Sequence, residues 1–186
     1  MLYNRGNRRS YDNWARTYGA DGWNYDTILP YFIRSENNTS PQIVAQNADY
    51  HGTMGPMGVS PTQQPDKILY AFQQQLNSFG IPSIDVNGAN QVGTMIYELT
   101  VRDGKRSGTG NAYLDPNPYP DNLHILTNAL ATRILFAGNA TASGVQFRLN
   151  DELHTVAATR EVIISAGNHN ICNAFNIIFL FDPNNV

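Results

Sequence analysis

The sequence of 186 residues has little charge and almost no cysteine. Charged residues make up 15% of the chain, whereas an average soluble protein has about a quarter. The net charge is −3, and the arginines near the N-terminus are interspersed with Asp12 and Asp21. Nucleic-acid-binding proteins carry basic patches, so the sequence predicts no nucleic-acid partner.

Disulfides and membrane spans are also missing from the sequence. The single cysteine, Cys172, excludes a disulfide within the chain and a CxxC zinc pair. The apolar run at residues 175–181 is far below the ~20 residues of a membrane-spanning helix, and no signal-peptide segment is present. Asn-x-Ser/Thr triplets at Asn37, Asn38 and Asn139 weakly favour a secreted parent protein, and the compartment stays open.

The sequence contains no recognisable phosphate loop or serine nucleophile. GANQVG (88–93) follows no predicted strand. GKRSGTGN (104–111) has neither the GxGxxG nor the GxxxxGK[ST] spacing that presents backbone N–H groups to phosphate. Ser107 lies outside any GxSxG strand–turn–helix context. We therefore predict turns at both glycine-containing segments.

The four histidines show no HExxH or other paired spacing, so the sequence predicts no metal site. His124 and His154 lie in strand-like runs, and His51 lies in a loop where it can organise turns. His169 follows a predicted strand end, where functional residues are common in α/β sheets. A structural role is favoured for each of the four.

The first two thirds of the chain predict mainly helices. A helix over YDNWARTY is expected to be capped by Ser10 and ended by Gly19. A second helix covers YDTILPYFIRSEN, with Pro30 near its first turn. Residues 37–65 predict a long loop with a short extended piece at MGVS. The apolar positions of DKILYAFQQQLNSF (66–79) predict a helix that stops at Gly80.

The rest of the chain predicts mainly strands. TMIYELTV (94–101) has the residue types of a strand that turns at Asp103-Gly104, and a short helical turn is expected around NAYL. Five short runs with turn residues between them then predict a β-meander: NLHILT, TRILFAG, SGVQFRL, HTVAA and REVIISAG. Helices followed by strands indicate an α+β fold.

Several stretches together resemble one protein family. They are MLYNRGNRRSYDNWA, GWNYDTILPYFIRSE, YHGTMGPMGVS, RSGTGNAYL, NLHILTNALATRILF and ATREVIISAGN. Their order and spacing over residues 1 to about 170 are similar to those of the glucose–methanol–choline (GMC) oxidoreductases, flavoproteins that oxidise alcohols with FAD. The resemblance implies a partial Rossmann-type FAD-binding domain with covering helices and a β-meander.

The resemblance also implies that this chain is incomplete. In the family a glycine-rich FAD fingerprint precedes the residues that match Met1, and the catalytic histidine lies far beyond residue 170. After SAG the sequence reads NHNICNAFNIIFLFDPNNV, in which only Asn170 fits the family pattern. We therefore expect a truncated chain without catalytic residues of its own, and whether it acts as an enzyme stays open.

Some cofactor contacts are implied by the resemblance. Met1 and Leu2 match positions near the flavin, and Ala131 matches a position whose backbone meets the adenine. Ser165, Ala166 and Gly167 match a strand end that approaches the dinucleotide. The implied cofactor is FAD, and the implied substrate of the parent enzyme is a small alcohol or sugar.

The implied organisation has four parts. Residues 1–65 would cover the FAD site, 66–114 would belong to a partial substrate domain, 115–170 would form the β-meander, and 171–186 would be a divergent tail. The expected function is that of a fragment of an FAD-dependent oxidoreductase acting on CH–OH groups. The alternative is a non-catalytic binding or structural remnant.

Overall fold

The structure is a computed structural model that describes residues 2–138 and 140–167. The chain divides into two compact units, Met1–Pro120 and Asp121–Val186, which we call the N-terminal unit and the C-terminal unit. The helices are α1 (Arg8–Tyr18), α2 (Tyr25–Ser35), α3 (Pro41–Gln46), α4 (Lys67–Ser78) and α5 (Thr109–Tyr113), with a 3₁₀ turn at Ala48–Tyr50. The strands are β1 (Glu36–Asn38), β2 (Met57–Pro61), β3 (Glu98–Leu99), β4 (Val101–Arg102), β5 (Lys105–Arg106), β6 (Leu130–Ala137), β7 (Thr141–Leu149) and β8 (Glu152–Ala157).

Helix α1 begins earlier than the sequence predicted. Its N-cap is Asn7, whose side-chain oxygen accepts a hydrogen bond from the N–H of Arg9, so the prediction of Ser10 as the cap is wrong. Asn is as good a capping residue as Ser, and the cap at Asn7 adds three residues to the helix. The predicted end is confirmed, because Gly19 caps the helix with a left-handed φ of 66°.

Helix α2 is fastened to α1 by side chains. The Asp12 carboxylate accepts a hydrogen bond of 2.9 Å from the N–H of Tyr25, the first residue of α2. Arg8 pairs with Asp26 at 2.7 Å and lies 4.5 Å from the centre of the Tyr25 ring. Pro30, which was predicted near the first turn, is the sixth residue of α2, and the helix continues past it to Ser35.

The predicted loop at residues 37–65 contains more regular structure than expected. The predicted extended piece at MGVS is confirmed as β2, which pairs in parallel with β1 and antiparallel with β3. Helix α3 and the 3₁₀ turn occupy part of the remaining segment. Tertiary hydrogen bonds, such as that from the N–H of Asn38 to the carbonyl of Gly52 (2.8 Å), hold this segment where local sequence preference alone predicts a loop.

Helix α4 and the hairpin after it agree with the sequence. Helix α4 is capped by Asp66, whose side chain accepts from the N–H of Ile68. The turn at Asp103-Gly104 joins β4 to β5.

The prediction of one long strand at residues 94–101 is wrong. Just four of these residues pair with a neighbour, namely residues 98, 99 and 101 and the bridged Thr94.

The C-terminal unit is a three-stranded antiparallel sheet in the order β6–β7–β8. Asn150 and Asp151 both have positive φ, which gives the two-residue hairpin turn between β7 and β8. Three of the five predicted runs are strands, whereas NLHILT and REVIISAG are not. A strand requires a second strand to pair with, and neither run is part of a sheet among the described residues.

The core of the described chain lies in the N-terminal unit. Its buried apolar residues are Tyr3, Tyr25, Ile28 and Val59. No helix among the described residues is long and apolar enough to span a membrane. The predictions for Met1, Asn139, His169, Asn170, Cys172 and the tail at 171–186 lie outside the described residues.

Candidate functional site

A buried group of ionisable side chains connects distant segments of the N-terminal unit. Its members are Arg5, Glu36, His51, Asp85 and Glu98, and we call them the ionic cluster. Glu36 is completely buried, and the other four are also removed from solvent. Buried charges are rare unless they are paired, so their partners determine what this group can do.

Glu36 lies at the centre of the ionic cluster. It directly follows α2, as the first residue of β1. Its carboxylate accepts hydrogen bonds from the guanidinium of Arg5 at 2.6 Å and from the N–H of Gly52 at 2.8 Å. The side-chain amide of Asn38 donates a third bond at 3.1 Å. These donors offset the cost of burying the carboxylate.

His51 lies between two carboxylates. Its Nδ1 is 3.1 Å from Glu36 Oε1, and its Nε2 is 2.7 Å from Asp85 Oδ2. Burial lowers the pKa of His51, but hydrogen bonds to Asp85 and Glu36 outweigh burial and raise this pKa to about 9. The imidazolium therefore bridges β1 and the segment that contains Asp85 at neutral pH.

Glu98 is the third carboxylate of the cluster, and it forms no ion pair with a described residue. It accepts hydrogen bonds from the Ser40 hydroxyl at 2.6 Å and the Asn38 amide at 3.1 Å. Burial raises the pKa of Glu98, although these two hydrogen bonds lower it. If Glu98 keeps its proton, the charges of Arg5 and His51 balance those of Glu36 and Asp85.

The N-terminal segment is held by the same cluster. The N–H of Arg5 donates to Asn87 Oδ1 at 2.9 Å, and the Asn87 amide donates to the carbonyl of Tyr3 at 3.3 Å. Arg5 also donates to the carbonyl of Tyr50 and to the Tyr3 hydroxyl, and burial raises the pKa of Tyr3 to about 12. Asp85 accepts from the N–H of Asn87 at 2.8 Å, which completes a chain of contacts from His51 to the N-terminal segment.

The ionic cluster has the properties of a positioning network rather than those of a catalytic centre. Within residues 2–138 and 140–167, Tyr25 Oη is the one buried side-chain polar atom without a hydrogen-bond partner. No group of His, Cys, Asp and Glu in the same residues could hold a metal ion. A catalytic group has to reach a substrate, and the polar atoms of this cluster are all occupied inside the protein.

A groove of about 620 Å³ lies beside the strands of the N-terminal unit. It is lined by Asn37, Thr39, Gly58, Ser60, Gln63, Val101, Arg102, Asp103 and Gly104. The guanidinium of Arg102 is already engaged, since it donates to the carbonyl of Pro56 at 2.8 Å. Ser107, which the sequence drew attention to, is buried, and its hydroxyl accepts from the N–H of Gly58 at 2.9 Å.

The predicted cofactor contacts fall in both units. Leu2 is 62% exposed and forms an antiparallel bridge with Leu99, whereas Ala131 is exposed on β6 opposite Phe147. Residues 165–167 are exposed, and they make no backbone–backbone hydrogen bond with any other described residue. The sequence contains no glycine-rich strand–loop–helix that would present backbone N–H groups to the diphosphate of FAD.

Sequence reasoning missed the ionic cluster, although part of its signal was available. Arg5, Glu36 and His51 each lie in one of the stretches that resemble the GMC family. Asp85 and Glu98 lie outside those stretches, and no local pattern marks them. Asp85 contacts His51, which is 34 residues away in the sequence, and Glu98 contacts Ser40, which is 58 residues away. Contacts over such separations leave no local pattern in the sequence.

Comparison with known proteins agrees with the fold. A family model described as GMC oxidoreductase matches residues 1–172. The chain is 36% identical over 173 residues to a glucose dehydrogenase [FAD, quinone] of Drosophila pseudoobscura pseudoobscura. It is 39% identical over 170 residues to an oxygen-dependent choline dehydrogenase of Stenotrophomonas maltophilia. Each alignment covers 90% of this chain.

Solved structures give the same result. An FAD-dependent oxidoreductase from Chaetomium thermophilum superposes with a TM-score of 0.81 and 27% identity over 95% of this chain. The pyridoxine 4-oxidase from Mesorbium loti gives a TM-score of 0.74 with 25% identity over 84% of the chain. The chain spans 27% and 29% of the two curated relatives, and 32% and 30% of the two solved chains. The family match, which covers nearly all of the sequence, shows that this chain belongs to the GMC oxidoreductase family.

Proposed function

We propose that this chain forms part of an FAD-dependent oxidoreductase that acts on CH–OH groups of small alcohols or sugars. The observation that carries the proposal is the family match over residues 1–172, together with relatives whose names specify glucose and choline dehydrogenases. When bound, FAD would supply an acceptor for the hydride of the alcohol carbon. Leu2, Ala131 and residues 165–167 are our candidates for cofactor contact, with Met1 preceding them.

The described residues support a holding role rather than the proton transfer of the reaction. Oxidation of an alcohol needs a base beside the hydroxyl group. His51 is poorly suited to be that base, because both of its ring nitrogens face carboxylates and its side chain is inaccessible to solvent. We therefore assign no catalytic residue within this chain, and the base would come from elsewhere in the parent enzyme.

The first test of the proposal is a full-length read of the messenger RNA. We expect an in-frame GxGxxG strand–loop–helix upstream and a histidine-containing catalytic region downstream. A mature message that encodes these 186 residues alone would overturn the enzymatic proposal. It would favour the alternative, a non-catalytic binding module. The ionic cluster is also compatible with that alternative, because its polar atoms are all engaged inside the protein.

The second test is a titration of the purified chain with FAD, followed by the quenching of flavin fluorescence. We expect weak binding or none at micromolar protein, because the ring of backbone amides that neutralises the diphosphate is missing. Strong quenching at micromolar protein would show that the candidate contacts suffice by themselves. The same titration with a longer product from the full message is the matched comparison.

A further inference from the structure

The His51 ring joins two parts of the N-terminal unit that have no other charged contact with each other among the described residues. On one side Glu36 begins β1, and on the other side Asp85 precedes Asn87, which holds the N-terminal segment. The ring contributes hydrogen bonds at both nitrogens, and both carboxylates accept. Two donors are available only in the imidazolium form, because a neutral imidazole has one N–H and one lone pair.

We propose that His51 is a protonation-dependent latch that fastens residues 83–88 to β1 and, through Asn87, supports the backbone of Tyr3 and Arg5. Loss of the ring proton leaves one carboxylate opposite a lone pair, whichever tautomer forms. If the remaining N–H stays on Nε2, the contact with Glu36 is lost. If it stays on Nδ1, the contact with Asp85 is lost, and the bridge is broken in both cases.

The surroundings of His51 determine the direction of this response. The charged groups packed around the ring are Glu36 on β1, Asp85 on the segment at 83–88, Glu98 on β3 and Arg5 on the N-terminal segment. Arg5 alone cannot balance the carboxylates once His51 is neutral. Deprotonation therefore creates excess negative charge in a buried site, which is costly.

The two sides of the bridge are not held equally well. Glu36 keeps its bonds from Arg5, Gly52 and Asn38 when the ring is neutral. Asp85 keeps the N–H of Asn87, which belongs to its own segment. The segment at 83–88 is consequently the side that we expect to loosen, and its release also loosens the contacts of Asn87 with Tyr3 and Arg5.

Hydrogen–deuterium exchange of the purified chain tests the latch, with labelling times scaled for the intrinsic pH dependence of exchange. Between neutral pH and about pH 10, we expect the protection of peptides covering 2–6 and 83–88 to fall roughly tenfold or more. Peptides covering the β7–β8 hairpin serve as the internal reference, since no member of the cluster lies there. Equal changes in all of these peptides, or no change in the first two, would overturn the latch.

Two variants separate the latch from general alkaline destabilisation. H51Q should show low protection of 83–88 at both pH values, because both N–H donors of a glutamine amide lie on one nitrogen, whereas the two carboxylates face two different ring nitrogens of His51. The matched control H124Q, which replaces an exposed histidine of the C-terminal unit, should behave like the unsubstituted chain. If H51Q does not fold, the comparison of peptides within the unsubstituted chain still decides the question.

The latch does not depend on the proposed function, and the two can fail separately. The exchange experiment contains no FAD and measures the segment at 83–88 directly. The FAD titration measures the cofactor and is carried out at neutral pH, where the latch is closed.

Discussion

The contacts inside the N-terminal unit differ in kind from the contacts inside the C-terminal unit. The N-terminal unit buries eight polar or charged side chains, among them Arg5, Glu36 and His51, and makes specific side-chain contacts across most of its length. The C-terminal unit has one buried residue among those described, Gly144, and its strands β6, β7 and β8 are joined by a backbone ladder with two register shifts between β6 and β7. The N-terminal unit is therefore stabilised mainly by contacts between specific side chains, whereas the C-terminal unit is stabilised mainly by main-chain hydrogen bonds.

This difference leads to unequal sensitivity to substitution. A backbone ladder is available to many sequences, so exposed side chains of the C-terminal unit can change at little cost. A buried ionic network fails when one partner is removed, because the remaining charges lose their compensation. Both tryptophans, Trp14 and Trp23, lie in the N-terminal unit, so tryptophan fluorescence follows the unfolding of that unit alone.

The largest effect is expected for Glu36→Ala. This substitution leaves the guanidinium of Arg5 and the imidazolium of His51 without their shared carboxylate in a buried site. We expect a loss of about 3–5 kcal/mol in the free energy of unfolding of the N-terminal unit. Urea unfolding followed by tryptophan fluorescence measures this loss.

Glu152→Ala is the matched control in the C-terminal unit. Glu152 is exposed, and its carboxylate lies 3.9 Å from the ring of His154. Removal of such an exposed pair should change stability by less than about 1 kcal/mol, as measured by exchange protection of β7 and β8. Similar losses for the two variants would remove the distinction between the units.

Alkaline pH should weaken the N-terminal unit selectively. The pKa of His51 is raised from 6.5 to about 9, so the folded state binds this proton more tightly than the unfolded state. The resulting stability is fully present below pH 6.5 and is lost as the pH rises through 9. The shift corresponds to a loss on the order of 3 kcal/mol across this range.

Urea unfolding curves at several pH values between these limits measure that loss. H51Q should have a lower and nearly flat stability over the same range, because the titrating group is absent. If the stability of the unsubstituted chain changes as little with pH as that of H51Q, His51 contributes no proton-linked stability.

Gly52→Ala tests the packing around the cluster. A Cβ at this position would lie 1.9 Å from the carbonyl oxygen of Ile33 and 2.9 Å from that of Glu36. Both contacts are with backbone, which cannot rotate away, so we expect a loss of about 1–3 kcal/mol or more. Urea unfolding with tryptophan fluorescence again measures the change.

Gly110→Ala is the control for that substitution. Gly110 lies within α5, and a Cβ there would meet nothing within 4 Å. Alanine is the better helix former, so stability should stay the same or rise by up to about 1 kcal/mol. A comparable loss in the two variants would mean that close packing at Gly52 is not the cause.

The smallest effect is expected for Leu153→Thr on β8. Leu153 is 60% exposed, and threonine has the β-branched shape that suits a strand. Stability should change by less than about 0.5 kcal/mol, while solubility should rise because an exposed apolar residue is removed. Exchange protection of β7 and β8, together with the concentration at which the chain precipitates, would measure both effects.

The parts of the fold that the sequence predicted are those with local causes. Helix α4, the Gly19 stop and the turn at Asp103-Gly104 all follow from residues within a few positions of each other. The runs NLHILT and REVIISAG failed as predictions because a strand depends on its neighbours as well as on its own residues. The residue types of a run cannot show whether a second strand is available to pair with it.

The candidate site was less accessible to sequence reasoning. Resemblance identified the family and marked the stretches that contain Arg5, Glu36 and His51, but it gave these residues no role. Their buried state follows from long-range contacts, such as that between the N–H of Arg5 and Asn87, 82 positions apart. The sequence predicted His51 as a turn-organising loop residue, which describes its backbone and misses its two carboxylate partners.

The bond between Asp12 and the N–H of Tyr25 has a consequence for how the chain folds. It spans 13 residues, so the loop that must close is short and α1–α2 can form early with a small loss of chain entropy. The contacts of Asn87 with Arg5 and Tyr3 span more than 80 residues, so the attachment of the N-terminal segment must wait for much longer loops to close. We infer that the helical pair provides the local nucleus on which the later contacts with Arg5 and Glu36 are completed.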